Sequence, residues 1–157
     1  MKEETYRLFE AATLEEIVSA IIAELDTRNE SPFWKEKVGP FTSAVLSVLI
    51  PLRDKGILFD PQGAKKEVLT PELFLEWSDF VSLKMLVFTI AKSNEANQLL
   101  RTKLSEEDCK KYIPIDLETL GTYLSKYSVN LENEALDFPI ANYNLHQGVS
   151  NVIKSLL

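Results

Sequence analysis

Apolar residues recur along most of this chain with the spacing of a helix. Leu14, Ile17, Val18, Ile21, Ile22 and Leu25 fall at i, i+3, i+4, i+7, i+8 and i+11. That is one apolar stripe on a helix over about 13–28. Thr13-Leu14-Glu15-Glu16 opens it as a capping box, in which the hydroxyl takes an orphan N–H and the glutamate reaches back. Ser31-Pro32 sets a second start, an N-cap followed by proline at the first helical position. The helix it opens is expected to be short and to end near Val38, because Pro40 disfavours helical geometry at Gly39. Phe41, Val45, Val48, Leu49 and Leu52 then make a separate stripe. Pro51 is expected to kink that helix by removing one backbone bond, and Gly56 fits the C′ position after it.

The helical pattern breaks over 57–69. Ile57-Leu58-Phe59 and Val68-Leu69 flank Asp60-Pro61-Gln62-Gly63, which carries turn chemistry. A short hairpin or an irregular loop is expected there, not a sheet. Thr70-Pro71 is again an N-cap followed by proline, with Leu73, Phe74 and Trp77 on one face. Residues 80–92 are apolar nearly all round, which predicts the buried centre of the domain. A shorter polar helix is expected over 94–103. Ser105-Glu106-Glu107-Asp108 opens another, ending before Pro114, and Asp116 caps a helix carrying Leu117, Leu120, Tyr123, Leu124 and Tyr127. Residues 128–141 read as a loop and 142–157 as a helix with Val149, Val152, Ile153 and Leu156 on one face. The fold class expected from this pattern is all-α: an irregular bundle of about six or seven helices with one short hairpin or loop near 57–69. Phe33, Trp34, Phe41, Trp77, Phe80 and Phe88 are assigned to its core.

The chain has 157 residues, the size of one domain. A chain this long buries roughly 68–70% of its unfolded surface, enough for a core without disulfide or metal. One cysteine, Cys109, cannot form an internal bridge, and it reads as a bystander in a charged helix. Met1-Lys2-Glu3-Glu4 is charged and leads into no apolar run, so it is not a secretory signal. The longest apolar stretches, Ala44 to Leu52 and Met85 to Ala91, fall well short of the roughly 20 residues that a spanning helix needs. The last stripe is still running at Leu156-Leu157. Either a natural helical C-terminus or a single domain, 1–157, cut from a larger protein would end this way.

Chemistry is hard to assemble from these residues. The formal net charge is −7, which argues against a large nonspecific nucleic-acid footprint. The single histidine, His146, reads as a surface or capping residue at a helix start, and a Ser-His-Asp hydrolase would need it as a base. One Cys and one His cannot close a tetrahedral zinc site. The scattered glycines Gly39, Gly56, Gly63, Gly121 and Gly148 fit no phosphate-cradling loop. Paired carboxylates such as Glu15-Glu16 read as favourable charge at helix N-termini. No catalytic residue, cofactor or metal ligand is therefore assigned. Two kinds of surface remain as candidates. Glu106, Glu107, Asp108, Glu132, Glu134 and Asp137 are acidic positions suited to a basic partner segment. Lys65, Lys66, Lys110 and Lys111, with Arg101 and Lys103, are the local basic clusters and candidate phosphate contacts.

Several segments together resemble a known family. Ser31-Pro32-Phe33-Trp34 leads a helix ending in Leu52-Arg53-Asp54-Lys55-Gly56, and Leu69-Thr70-Pro71-Glu72-Leu73 opens the next. Near the end comes Asn144-Leu145-His146-Gln147-Gly148. This is similar to the all-α domain of type IV coupling proteins, the TraD/TraG-like ATPases of conjugation and type IV secretion. The resemblance covers roughly residues 31–77 and 142–157, on aromatic, Leu and Arg-Asp positions without catalytic meaning. It implies a domain inserted in a hexameric, membrane-anchored motor, on the cytoplasmic side of the bacterial inner membrane and without membrane contact of its own. Such a domain recognises secretion substrates, relaxosome components or adaptor proteins, with DNA as a further ligand. The phosphate-binding motifs would lie in the parent ATPase. Arg53 and Asp54 read as a helix-end pair. The rival readings are a free-standing acidic adaptor or chaperone-like domain, a helical DNA-binding domain using the lysine pairs, and an enzyme using carboxylates.

Overall fold

A computed structural model of the chain describes residues 2–28, 31–101, 114–131 and 139–156. Among them lie seven helices: α1 (Lys2–Ala11), α2 (Leu14–Thr27), α3 (Pro32–Asp54), α4 (Pro71–Glu76), α5 (Phe80–Arg101), α6 (Glu118–Lys126) and α7 (Ile140–Leu156). The described residues form no strand, only a single antiparallel bridge between Phe59 and Lys65. The fold is therefore the all-α bundle that the periodicity predicts.

The long helix α3 organises the bundle. It spans roughly 35 Å at 1.5 Å per residue and packs against α2, α4, α6 and α7. Its buried side chains are Val38, Phe41, Thr42, Ala44, Val45, Leu46, Val48, Leu49, Ile50 and Leu52. The expected break at Gly39-Pro40 does not occur, and both Pro40 and Pro51 lie inside the continuous helix. Gly39 has no Cβ, so the proline ring meets less resistance from the residue before it than usual. An interior proline costs about 3 kcal/mol. Val38, Phe41, Val45 and Leu49 gain about 1.5–3 kcal/mol each by burial on either side of it, so burial wins.

This helix, and not 80–92, is the buried centre. In α5, Phe80, Leu83, Lys84, Leu86 and Ile90 are buried, but Val87 and Phe88 are half-buried and Met85 is 57% exposed. The apolar and polar halves read as two helices, 80–92 and 94–103, are one helix through Arg101. Asn94 ties it to the start of the α6 segment, its side-chain amide pairing with the Ile115 carbonyl at 2.9 Å and its side-chain oxygen with the Ile115 N–H at 3.2 Å. The first helix, α1, was not expected. Among its described side chains Phe9 is fully buried, and it meets Phe74 edge-on at 5.5 Å.

Of the local start and stop signals, the Thr13, Thr70 and Gly56 ones form as read, whereas Ser31 makes no side-chain cap bond and Asp116 stands one residue before Leu117, the N-cap of α6. The Glu16 N–H donates to the Thr13 hydroxyl at 3.2 Å, and the Leu73 N–H to the Thr70 hydroxyl at 3.2 Å. The Asp116 carboxylate accepts the Glu118 N–H at 2.9 Å. Gly56, at φ 71°, closes α3, and the Ile57 N–H reaches back to the Leu52 carbonyl at 3.0 Å. The same 6→1 closure ends α6, where the Val129 N–H meets the Leu124 carbonyl at 3.0 Å. Ser128 occupies the left-handed position there, at φ 59°. Glycine would normally take that position.

Candidate functional site

His146 lies in the middle of α7 and is fully buried, so it is neither a surface nor a capping residue. Its ring stacks on Phe80 at 4.0 Å between centroids and packs against Phe41 at 4.9 Å. Its Nε2 faces the backbone carbonyl of Ser78, and its Nδ1 faces the Tyr123 hydroxyl at 2.7 Å. A carbonyl only accepts, so Nε2 carries the proton and donates. Nδ1 then accepts from the Tyr123 O–H. A neutral imidazole has one donor and one acceptor, and both are used here. Burial pushes its pKa down to about 4, against the smaller opposing pull of the Ser78 carbonyl and Asp79. Burial likewise pushes the Tyr123 hydroxyl far up. A general base must reach the proton it takes. This ring has no exposed surface and both nitrogens are engaged, so it serves the core.

The other residues that carry the family resemblance are joints of the framework. Trp34 lies against Gly148: a Cβ on Gly148 would stand 2.5 Å from Trp34 Cη2 and 3.0 Å from Cζ3. Contacts that close are sterically excluded, so glycine is needed to bring α3 and α7 together. Arg53 donates to the Phe9 carbonyl at 3.0 Å and the Ala12 carbonyl at 2.9 Å, capping the end of α1, while its Nε pairs with Asp54 at 2.9 Å. It is therefore a helix-end residue, but chiefly for α1. Arg28 does the same for α7, donating to the Ser155 carbonyl at 2.9 Å. Of the aromatics assigned to the core, Phe41, Trp77 and Phe80 are buried and Trp34 and Phe88 half-buried. Phe33 is 48% exposed, which corrects its assignment. It sits in the first turn of α3, where its ring meets Trp34 edge-on at 5.0 Å.

The candidate contact residues divide by position. Glu106, Glu107, Asp108, Lys110, Lys111, Glu132, Glu134 and Asp137, with Lys103 and Cys109, lie outside the described residues. Lys65 and Lys66 stand exposed on the turn segment between α3 and α4. Asp60 organises that turn by accepting the N–H groups of Gln62 at 3.0 Å and Ala64 at 2.9 Å. The Ala64 N–H above all holds its carboxyl below the ordinary range, aided by Lys66. Lys66 Nζ is 3.6 Å from Asp60, so one lysine of the pair is already engaged within the turn. Trp77 fixes the segment to α4, its indole N–H donating to the Phe59 carbonyl at 2.9 Å.

One surface feature among the described residues is a cleft between α1 and α2, holding about 280 Å³. Phe9, Ile17 and Ile21 form its buried floor, Leu8 and Ala20 its half-buried walls, and Glu4 and Glu24 stand among its lining residues. Glu24 pairs with Arg28 at 3.1 Å. Sequence reading missed this cleft because it did not foresee α1. Its one local signal is the Leu8-Phe9 pair followed by Ala12 in an otherwise polar stretch. Among the described residues, no three His, Cys, Asp or Glu side chains gather as a metal site needs, and no helix is long and apolar enough to cross a membrane. No family model matches the chain, and no curated protein or solved structure matches it either.

Proposed function

We propose that this chain is the substrate- or adaptor-recognition domain of a type IV secretion or conjugation coupling ATPase. The observation that carries the reading is the contact between Trp34 and Gly148. The resemblance lies in two separated segments, about 31–77 and 142–157, and this contact joins them as one structural unit. Arg53 and Thr70, which belong to the same motifs, cap helices in that unit. Motif positions that hold a bundle together are what a shared domain fold requires, and none of these residues has chemistry to perform.

In this reading the parent protein supplies nucleotide hydrolysis, the membrane anchor and the hexameric ring. The domain faces the cytoplasm at the inner membrane and selects secretion substrates, relaxosome components or adaptors. The test is affinity capture from source-cell lysate with the folded chain as bait, read by mass spectrometry. Recovery of secretion-system components or secreted proteins, absent with a heat-denatured bait, is the expected outcome. A folded bait that enriches no such protein contradicts the reading.

A further inference from the structure

We infer that the cleft between α1 and α2 is a docking groove for a basic amphipathic helix of a protein partner. This inference rests on the domain being a protein-binding module, though not on the identity of its parent.

Three observations lead to it. The first is the apolar lining: Leu8, Ala20 and Ala23 offer accessible apolar surface over the buried side chains of Phe9, Ile17 and Ile21. The second is charge. Residues 2–28 hold seven acidic and three basic side chains, a net −4 within a chain of net −7. Glu4 stands exposed in the lining of the cleft, with Glu24 half-buried beside Ala20 and Ala23. A cationic partner is attracted and oriented by that field, whereas an acidic one is repelled. The third is the backbone. Both walls are helices, whose N–H and C=O groups bond within the helix away from the ends, so the groove offers little to an extended chain. An extended occupant would bury its own backbone groups without partners, at about 1–3 kcal/mol each. A helix brings its backbone bonds with it and projects i, i+3 and i+4 side chains into the floor. Ala20 and Ala23 are small, which leaves room for close approach.

The opposite side of α1 is already committed. Phe9 stacks on Phe74, the Tyr6 hydroxyl donates to the Glu72 carboxylate, and Arg53 caps the C-terminal end of α1. The helix is thus held by α3 and α4 on that side, while on the α2 side the described residues leave the cleft.

The test is fluorescence anisotropy of the full 157-residue chain with three labelled peptides. One is a Leu/Lys amphipathic helix, one a Ser/Lys peptide of the same charge, and one a Leu/Glu helix of the same pattern. The expected result is saturable binding of the Leu/Lys helix only. Ala23→Arg changes an exposed position on α2, preserves the helix and occupies the groove, so it should weaken that binding at least about tenfold. Circular dichroism verifies that the variant is folded. Equal binding of the Ser/Lys peptide would reduce the interaction to bulk charge and overturn the inference. So would preference for the Leu/Glu helix, or binding unchanged by Ala23→Arg. Repeating the lysate capture with Ala23→Arg separates the two proposals. Capture of the same secretion components by the variant, with no peptide binding by the parent chain, removes the groove and leaves the recognition reading standing. Peptide binding without such capture does the reverse.

Discussion

The imidazole of His146 is neutral in the folded chain because burial disfavours its charged form, and the core gives the neutral ring one acceptor and one donor. Protonating it would bury a charge beside Phe41 and Phe80 and remove the acceptor that Tyr123 uses. The sign of the resulting pH dependence follows. The unfolded chain takes up this proton near pH 6.5, and the folded chain only near 4. The contribution to stability is therefore fully present above about 6.5, is lost progressively as pH falls from there to about 4, and changes no further below. At about 1.36 kcal/mol per unit the loss is on the order of 3 kcal/mol. In His146→Phe the stability at neutral pH falls, since the Ser78 carbonyl and Tyr123 hydroxyl lose partners at about 1–3 kcal/mol each. The decline between pH 6.5 and 4 should shrink by the histidine share. Urea unfolding across that range, compared between the two proteins, checks this, and parallel curves would mean that His146 does not carry the dependence. Gly148 makes a second prediction at this scale. Glycine to alanine inside a helix ordinarily stabilises by about 1 kcal/mol. Here the added methyl overlaps the Trp34 ring, so Gly148→Ala should destabilise by about 1–3 kcal/mol. Combining it with Trp34→Leu should recover part of the loss, measured as a double-mutant cycle in thermal or urea unfolding.

Between elements, polar joints decide where helices sit. Arg53 projects from the end of α3 to the last carbonyls of α1, a cation at a helix C-terminus where the dipole favours it. Hydrogen bonds from a charged donor are worth about 1.5–3 kcal/mol. Arg53→Ala should therefore release α1 before the rest of the bundle. Amide exchange in residues 4–11 should quicken by one to two orders of magnitude, with α3 and α7 little changed. Uniform acceleration everywhere would contradict a local role. The same scale shows what the sequence made legible. Apolar periodicity predicted α2, α6 and most of α7, and the Thr13, Thr70 and Gly56 signals marked boundaries that the backbone obeys, because each acts within a few residues. Pro40 misled because its local penalty is outweighed by burial that depends on α2, α6 and α7, which a local reading does not include. His146 misled because a polar ring is not counted on an apolar stripe. In fact His146, Val149 and Ile153 fall at i, i+3 and i+7 on the buried stripe. Phe33 misled because an aromatic in a first helical turn has no stripe to place it. The α1–α2 cleft needed two helices at once, and only one announced itself.

For the whole molecule, the described residues form a bundle wound on α3, with its polar chemistry spent on caps and joints. The acidic excess of residues 2–28 is carried beside an apolar cleft. The acidic candidates Glu106, Glu107, Asp108, Glu132, Glu134 and Asp137 lie outside those residues, so the site argued from geometry is a different one. On the proposed function, the domain selects cargo for a coupling ATPase without taking part in hydrolysis. The most direct measurement is to excise residues 1–157 from the coupling ATPase of the source cell, joining the flanks with a flexible linker. ATP hydrolysis and substrate retention are then assayed on the same purified protein. Hydrolysis should stay within about twofold while substrate co-purification is lost. Substrate retention at the original level, with hydrolysis intact, would contradict the claim.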